Sequence, residues 1–290
     1  MGRKIHVPLA DRGIVSVSGQ DASDFLQGLI TNDIEKVSDT AAIYAALLTP
    51  QGKFLHDFFI ALYKDKFLLD CEADRIPDLI KRLTMYRLRA KVDIADETGN
   101  FAVGIMLTPG ETDGDADAGS AKIRLDGVSY IDPRHAGLGE RTIQLIDADD
   151  TFPTDDMVLA NNRAEYDAKR IGLGIPDSAA DLVPEKSMPL EAGFDELNGV
   201  DFQKGCYVGQ EVTARMKHRS LVKKRLFPVT FDGDLGPDTP VLAGEVEAGR
   251  ISSSAGGRGI ALLRLDLLEK GELTANGLAV RAEKPDWFEL

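Results

Sequence analysis

Apolar and polar positions alternate from Ile14 to Val17, with Ile14 and Ser16 facing one way and Val15 and Val17 the other, which predicts a strand. Ser18-Gly19-Gln20-Asp21 supplies turn and N-cap residues, and Phe25, Leu26, Leu29 and Ile30 then recur at helical spacing. Tyr44 to Leu48 and Phe54 to Tyr63 read as strands joined at Pro50-Gln51-Gly52-Lys53, a hairpin. A strand at Phe67 to Cys71 is followed by a helical face of Ile76, Leu79, Ile80 and Leu83, and the chain returns through Val92 to Ile94. Further strands are predicted at Phe101 to Leu107, Ile123 to Tyr130 and Arg141 to Ile146. The Gly- and Asp-rich run from Pro109 to Ser120 reads as a surface loop, and Asp155 to about Ile171 as a helix stopped by Gly172, Gly174 and Pro176.

After Pro228 the pattern breaks into short β-rich pieces: Val229 to Phe231, Val241-Leu242, Glu245 to Ile251, Ile260 to Leu265 and Leu278 to Val280. Short strands punctuated by turn residues predict a small barrel or sandwich, with a domain boundary near residue 226. A chain of 290 residues is long enough for two or three packed units, and no repeat of solenoid period is visible.

Composition narrows the class. With 43% hydrophobic and 28% charged residues the balance is that of an ordinary globular protein. No apolar run reaches the ~20 residues that span a bilayer, so no membrane partner is expected. The opening residues lead into no signal-peptide h-region, and the expected address is the cytoplasm. Two cysteines, Cys71 and Cys206, stand far apart outside any CxxC pair, so neither a disulfide framework nor a zinc ribbon is indicated. Two Cys and four His are too few to hold a four-thiolate cluster alone, so no metal site of the chain's own is expected. A net charge of −14 argues against stable nucleic-acid binding by the whole surface. The exception is RMKHRSLVKKR, from Arg215 to Arg225, with six Lys or Arg, His218 and no acid. Such a run is commonly a solvated face, and direct tRNA recognition through it is the binding-module alternative.

The candidate chemistry centres on Cys206, which sits between Gly205 and Gly209, with Lys204 before it and Tyr207, Gln210 and Glu211 after. Flanking glycines let the backbone approach a ligand or take a positive φ. A helix is predicted from Val208 to Arg219, with Glu211 and Arg215 paired at i, i+4, which puts Cys206 near its N-terminus. Thiols at helix N-termini and beside cations favour the thiolate, so Cys206 is a candidate nucleophile or soft metal ligand. The bland alternative is a small buried core residue. Cys71, between Asp70 and Glu72 at the end of an apolar strand, reads as structural. His56-Asp57 is a polar pair inside a hydrophobic strand, and its two side chains must face opposite ways.

The run KGCYVGQEVTAR, Lys204 to Arg215, resembles the K-G-C-Y-x-G-Q-E signature of the YgfZ family of folate-binding proteins. Arg170 to Pro176 resembles that family's R-x-x-x-G-I/V-P element, and Pro189-Leu190-Glu191 with Asn198-Gly199-Val200 resembles its approach to the signature. Phe25 to Asp33 is similar to its F-L-Q-G-x-x-T-N-D element, and Lys223 to Pro228 to the K-R-L-F-P run of mitochondrial iron-sulfur assembly relatives. Tyr44 to Tyr63 resembles the hairpin shared with the aminomethyltransferase T-protein of glycine cleavage. Two departures point away from glycine cleavage: His56-Asp57 stands where those enzymes carry an Asp-Asp doublet, and Cys206 interrupts their K-G-Y.

The resemblance implies an α+β protein: a T-protein-like folate-binding body over residues 1–225, with subdomains of approximately 1–95 and 96–225, and a small C-terminal β-barrel over 226–290. It implies a tetrahydrofolate-binding factor for assembly or repair of [4Fe-4S] clusters in client enzymes, among them tRNA-modifying radical enzymes, with the Cys206 thiol at its centre. The partners it implies are folate and iron-sulfur client or scaffold proteins. Lys204 and Tyr207 join Cys206 as candidate reactive-site residues. Asn32, Asp57 and Glu191 are candidate pterin contacts, with Arg170, Gln210, Glu211 and Arg215 as further cofactor-binding candidates. A folate polyglutamate tail is anionic and is drawn to the basic run. The enzymatic alternative is a folate-dependent one-carbon transferase.

Overall fold

Strand pairing sorts the chain into two sheets and a closed barrel. The computed structural model describes residues 3–108, 117–146, 157–219, 221–268 and 270–288. In chain order the strands of the body are β1 (Lys4–Pro8), β2 (Arg12–Ser18), β3 (Ile43–Leu48), β4 (Phe54–Tyr63), β5 (Lys66–Glu72), β6 (Asp93–Asp96), β7 (Phe101–Leu107), β8 (Ala121–Arg124), β9 (Gly127–Ile131), β10 (Glu140–Leu145) and β11 (Met157–Leu159). Those of the barrel are β12 (Lys224–Phe231), β13 (Pro240–Ala243), β14 (Val246–Ala255), β15 (Arg258–Arg264), β16 (Leu273–Ala275) and β17 (Leu278–Ala282). The helices are α1 (Ala22–Gln27), α2 (Ile76–Arg87), α3 (Ala164–Gly172), α4 (Ser178–Asp181) and α5 (Gln210–His218).

One sheet runs β3-β4-β5-β2-β6 and the other β11-β1-β7-β10-β9-β8. Phe58 and Ile60 of β4, Val15 and Val17 of β2 and Leu69 of β5 form a core with Phe25 and Leu26 of α1 and Ile76, Leu79 and Leu83 of α2. Alternate residues of the strands present one apolar face, and the helices bury their apolar stripes against it. The described chain divides into two compact units. Unit 1 comprises residues 1–48, 55–166 and 197–208, and unit 2 comprises 49–54, 167–196 and 209–290.

In unit 2 the barrel closes in the order β12-β15-β14-β13-β16-β17 around Val229, Val241, Ile251, Leu263 and Val280. Closure leaves no sheet edge open to pairing. The turn before β4 also belongs to this unit. Gly52 there adopts φ +72, and an added Cβ would lie 3.0 Å from Cβ of Val212 in α5. Only glycine meets both demands without strain.

Several sequence expectations shift. The helix expected from Asp155 opens instead as β11, paired in parallel with β1 through Lys4↔Met157 and His6↔Leu159, and α3 starts at Ala164. Residues 155 and 156 lie outside the described residues, as does most of the Pro109 to Ser120 loop. The helical period in that stretch is overridden by the pairing that β1, unread in the sequence, makes available. The strand expected at Ile123 to Tyr130 is two strands, β8 and β9, turned at Leu125-Asp126. Helix α1 stops at Gln27, so Leu29 and Ile30 reach the core from the segment that follows it. Among the described residues no helix is long and apolar enough to cross a membrane.

Candidate functional site

Two irregular segments of unit 1, residues 27–36 and 198–204, are laced together by side chains rather than by a strand ladder. The hydroxyl of Thr31 donates to the carbonyl of Gly199 (2.6 Å), and the backbone N–H of Asp201 returns to the carbonyl of Thr31 (3.0 Å). The amide of Asn32 donates to the carbonyls of Tyr44 (2.8 Å) and Asn198 (2.7 Å), while its oxygen accepts from the N–H of Asp33. Asn198 holds a left-handed backbone, φ +56, a conformation asparagine tolerates better than most residues. Lys36 pairs with Asp201 at 2.7 Å. Desolvation favours the neutral acid, but Lys36 and the N–H groups of Gln203 and Lys204 hold the Asp201 carboxyl below its usual range.

Lys204 closes the lacing. Its ammonium donates to the carbonyls of Gln27 (2.9 Å), Ile30 (2.7 Å) and Asn32 (2.7 Å), which uses all three N–H bonds. A helix end leaves carbonyls without intrahelical partners, and here the lysine serves the segment that ends α1. Burial lowers the ammonium's pKa to about 8, against Asp33 and Asp201, which favour the charged form. The same nitrogen lies 5.2 Å from the ring centre of Tyr207, itself buried. Val208 then packs on the core of unit 1.

Cys206 is therefore an exposed thiol on a two-residue span, Gly205-Cys206, held between buried Lys204 and buried Tyr207. The other cysteine, Cys71, is in the core, where burial pushes its thiol up and its sulfur faces the carbonyl of Gly13. Of the two flanking glycines, Gly209 takes a positive φ of +86 and Gly205 does not. Helix α5 begins at Gln210, later than expected and four residues past the thiol.

Between the laced segments lies a cavity of about 520 Å³, lined by Asn32, Lys36, Tyr44, Pro133, Asn198 and Asp201 among others, with Phe202 and Gln203 on the same wall. That volume is in the range of small-molecule sites. Tyr44 donates its hydroxyl to Asp57 (2.9 Å), and the Arg134 guanidinium lies over the Tyr44 ring at 5.5 Å. Arg134 in turn grips Asp132. Asp70 receives Arg12 at 2.7 Å and Arg141 at 2.6 Å. Burial by itself would raise the Asp70 carboxyl, but these two guanidinium groups outweigh it and hold the carboxyl low. The guanidinium groups of Arg12, Arg134 and Arg141 surround the ring of Phe59, the closest at 4.0 Å. This cluster of buried, paired charges backs the Tyr44 wall.

Of the residues singled out in the sequence, unit 1 holds Asn32, Asp57, Lys204, Cys206 and Tyr207. Asn32 lines the cavity with its amide already committed, whereas Asp57 is buried against Tyr44 and is not among the lining residues. His56 faces the other side of β4, as the strand period requires, and its Nε2 lies 2.9 Å from Asp78 of α2. Burial, followed by Arg75, lowers the imidazole to about 4, although Asp78 pulls the other way.

Unit 2 holds Arg170, Glu191, Gln210, Glu211 and Arg215. Arg170 is buried and engaged by Asp167 (2.7 Å) and Asp181 (3.0 Å). Glu191 is half-buried, and its burial raises its carboxyl. Gln210 opens α5, and Glu211 and Arg215 are exposed on it without the ion pair that their spacing suggested. The basic run is not one surface. Lys217 is tied to Asp195, and Arg225 is buried against Glu196 and Phe288. Sequence reasoning passed over Lys36, Tyr44, Asn198, Asp201 and Gln203 as site residues. The Asn198-Gly199 pair, a turn signal beside the Cys206 motif, is the feature that points to this wall.

Residues 9–106 match the family described as the GCVT N-terminal domain, and residues 223–290 match the CAF17 C-terminal beta-barrel domain. The chain is 32% identical to the iron-sulfur cluster assembly factor IBA57, mitochondrial, of Mus musculus, over 97% of this chain and 84% of that protein. The Homo sapiens protein of the same name is also 32% identical with the same coverage. The Neurospora crassa homologue is 33% identical over 83% of this chain, which spans 57% of that longer protein. The crystal structure of glycine cleavage system aminomethyltransferase T from Bartonella henselae superposes with a TM-score of 0.79 over 99% of this chain and 87% of that one, at 12% identity. At that identity the likeness is one of fold, and it is the T-protein-like α+β body with a C-terminal barrel expected from the sequence. The cytoplasmic address is overturned: the relatives are named mitochondrial.

Proposed function

The chain belongs to the CAF17/IBA57 family, and from that membership we propose that it is an iron-sulfur cluster assembly factor that presents the Cys206 thiol as a ligand to iron held jointly with a client or scaffold protein. The observation that carries the reading is the exposed sulfur fixed between two buried anchors, Lys204 and Tyr207. A soft thiolate suits the iron of an iron-sulfur cluster. The second cysteine is in the core, so the remaining ligands of any cluster come from the partner. [4Fe-4S] clients, including radical enzymes that modify tRNA, are part of the proposal.

Tetrahydrofolate, or a derivative of it, is the proposed ligand of the cavity in unit 1, a reading that rests on the likeness of KGCYVGQE to the folate-binding YgfZ proteins. The lining fits the group in kind. Phe202 offers a flat face, Asp201 and Gln203 offer polar partners for an amino-pyrimidinone edge, and exposed Lys36 suits an anionic tail. When bound, the folate supplies a carrier for one-carbon units. The one-carbon transferase alternative is weakened by His56, which replaces an acid and faces α2 rather than Tyr44.

The test is a tetrahydrofolate titration of wild type and Cys206→Ala, together with an assay of cluster-dependent enzymes in cells carrying each form. The expected result is folate binding in both and loss of cluster-enzyme activity with Cys206→Ala. Full activity in that variant would remove the thiol from the function, and absence of binding in wild type would remove the folate.

A further inference from the structure

Cys206 lies three residues beyond Gln203 on the cavity wall, and one side chain joins the two places. Lys204 donates to the carbonyl of Asn32, whose side chain lines the cavity, and also to Gln27 and Ile30. The wall residues Asn198 and Asp201 are tied to Thr31, Asn32 and Lys36 by the lacing already described. A molecule seated against Asn32, Asn198 and Asp201 therefore presses on the backbone whose position Lys204 reads. On its other side Lys204 is followed by Gly205, where an added Cβ would meet nothing within 4 Å, and then by the thiol. Gly205 and Cys206 are both exposed, between the buried side chains of Lys204 and Tyr207.

We propose that Lys204 is a positioning residue through which occupancy of the cavity sets the reactivity of Cys206. This rests on the cavity and the thiol being the working parts of the site. The ammonium suits the task because it is a compact point donor with three N–H bonds, all directed to separate carbonyls of one segment. Displacement of that segment cannot be absorbed by a spare donor, so it is passed to residues 204–206. By thermodynamic reciprocity, a partner gripping the thiol tightens or loosens the cavity's hold on its ligand by the same factor.

The experiment measures the rate at which iodoacetamide alkylates Cys206, located by peptide mass mapping, with and without saturating tetrahydrofolate. Binding is measured separately by titration calorimetry. In wild type the ligand is expected to change the rate about fivefold or more, in line with ordinary coupling energies. In Lys204→Met, tetrahydrofolate still binds and the rate no longer responds to it. A response retained in full by Lys204→Met overturns the role of the lysine, and a wild-type rate indifferent to bound folate overturns the coupling. Absence of binding heat in wild type sinks the folate reading instead, and the calorimetry tells the two failures apart. If Lys204→Met does not fold, judged by near-ultraviolet circular dichroism, Lys204→Arg takes its place. It keeps the charge but replaces three divergent donors with a planar fork, so its response to folate is expected to fall, and an undiminished response overturns the proposal.

Discussion

His56 makes the protein's stability depend on pH in a way that a single substitution isolates. Its side chain is buried, and its pKa is about 4 against an ordinary 6.5, chiefly through burial and then Arg75. The unfolded chain therefore takes up the proton first. The stabilisation from keeping the imidazole neutral is complete above the ordinary value and is lost as pH falls toward the folded one. Integrating the difference in bound protons from about pH 7 to about pH 5 gives a loss of about 2 kcal/mol from this residue alone. Asp70 and Asp132, held low by their arginines, remain ionised over that interval and do not mask it. Urea unfolding of wild type and His56→Gln at the two pH values reads the effect directly. The glutamine keeps a donor for Asp78 but cannot titrate, so wild type should lose about 2 kcal/mol more than the variant on acidification. Parallel losses in the two proteins would show that His56 is protonated at no special cost and would refute the burial argument.

Asp70→Asn leaves Arg12 and Arg141 buried without their carboxylate and should destabilise the protein by about 3–5 kcal/mol in denaturant titration. The substitution should also flatten the acid limb of the stability curve, because a carboxyl held low stabilises above its unfolded pKa and loses that contribution as pH falls through the folded one. Gly52→Ala, at φ +72 with Val212 in the way, should cost more than about 1 kcal/mol, and thermal unfolding unchanged from wild type would refute it.

Most secondary elements were legible in the sequence where a single period ran unbroken. Strands β4 and β7 are found at the limits read from their apolar runs, and α2 carries the apolar face read from Ile76, Leu79 and Leu83. Failures cluster where pairing outweighs local pattern. Strand β11 exists because β1 offers it an edge, and the short β16 exists because barrel closure needs a strand between β13 and β17. The alternation of β4 also dictated that His56 and Asp57 part company, though not what each would meet.

The sequence by itself singled out the candidate residue: a cysteine between glycines in a motif of unusual density draws attention to Cys206 whatever the fold does with it. It also determined the β texture of the stretch after Pro228, because short apolar runs between glycines have few other ways to bury themselves. Only the tertiary structure decided that Lys204 is a three-way tie, that Asp57 belongs to Tyr44, that Arg225 is buried, and that Asp201 and Asn198 line the cavity. The physical reason is common to all four. A polar side chain's role is set by which backbone groups and charges lie within about 3 Å of it, and those partners are up to 177 residues away along the chain, beyond the reach of any local pattern.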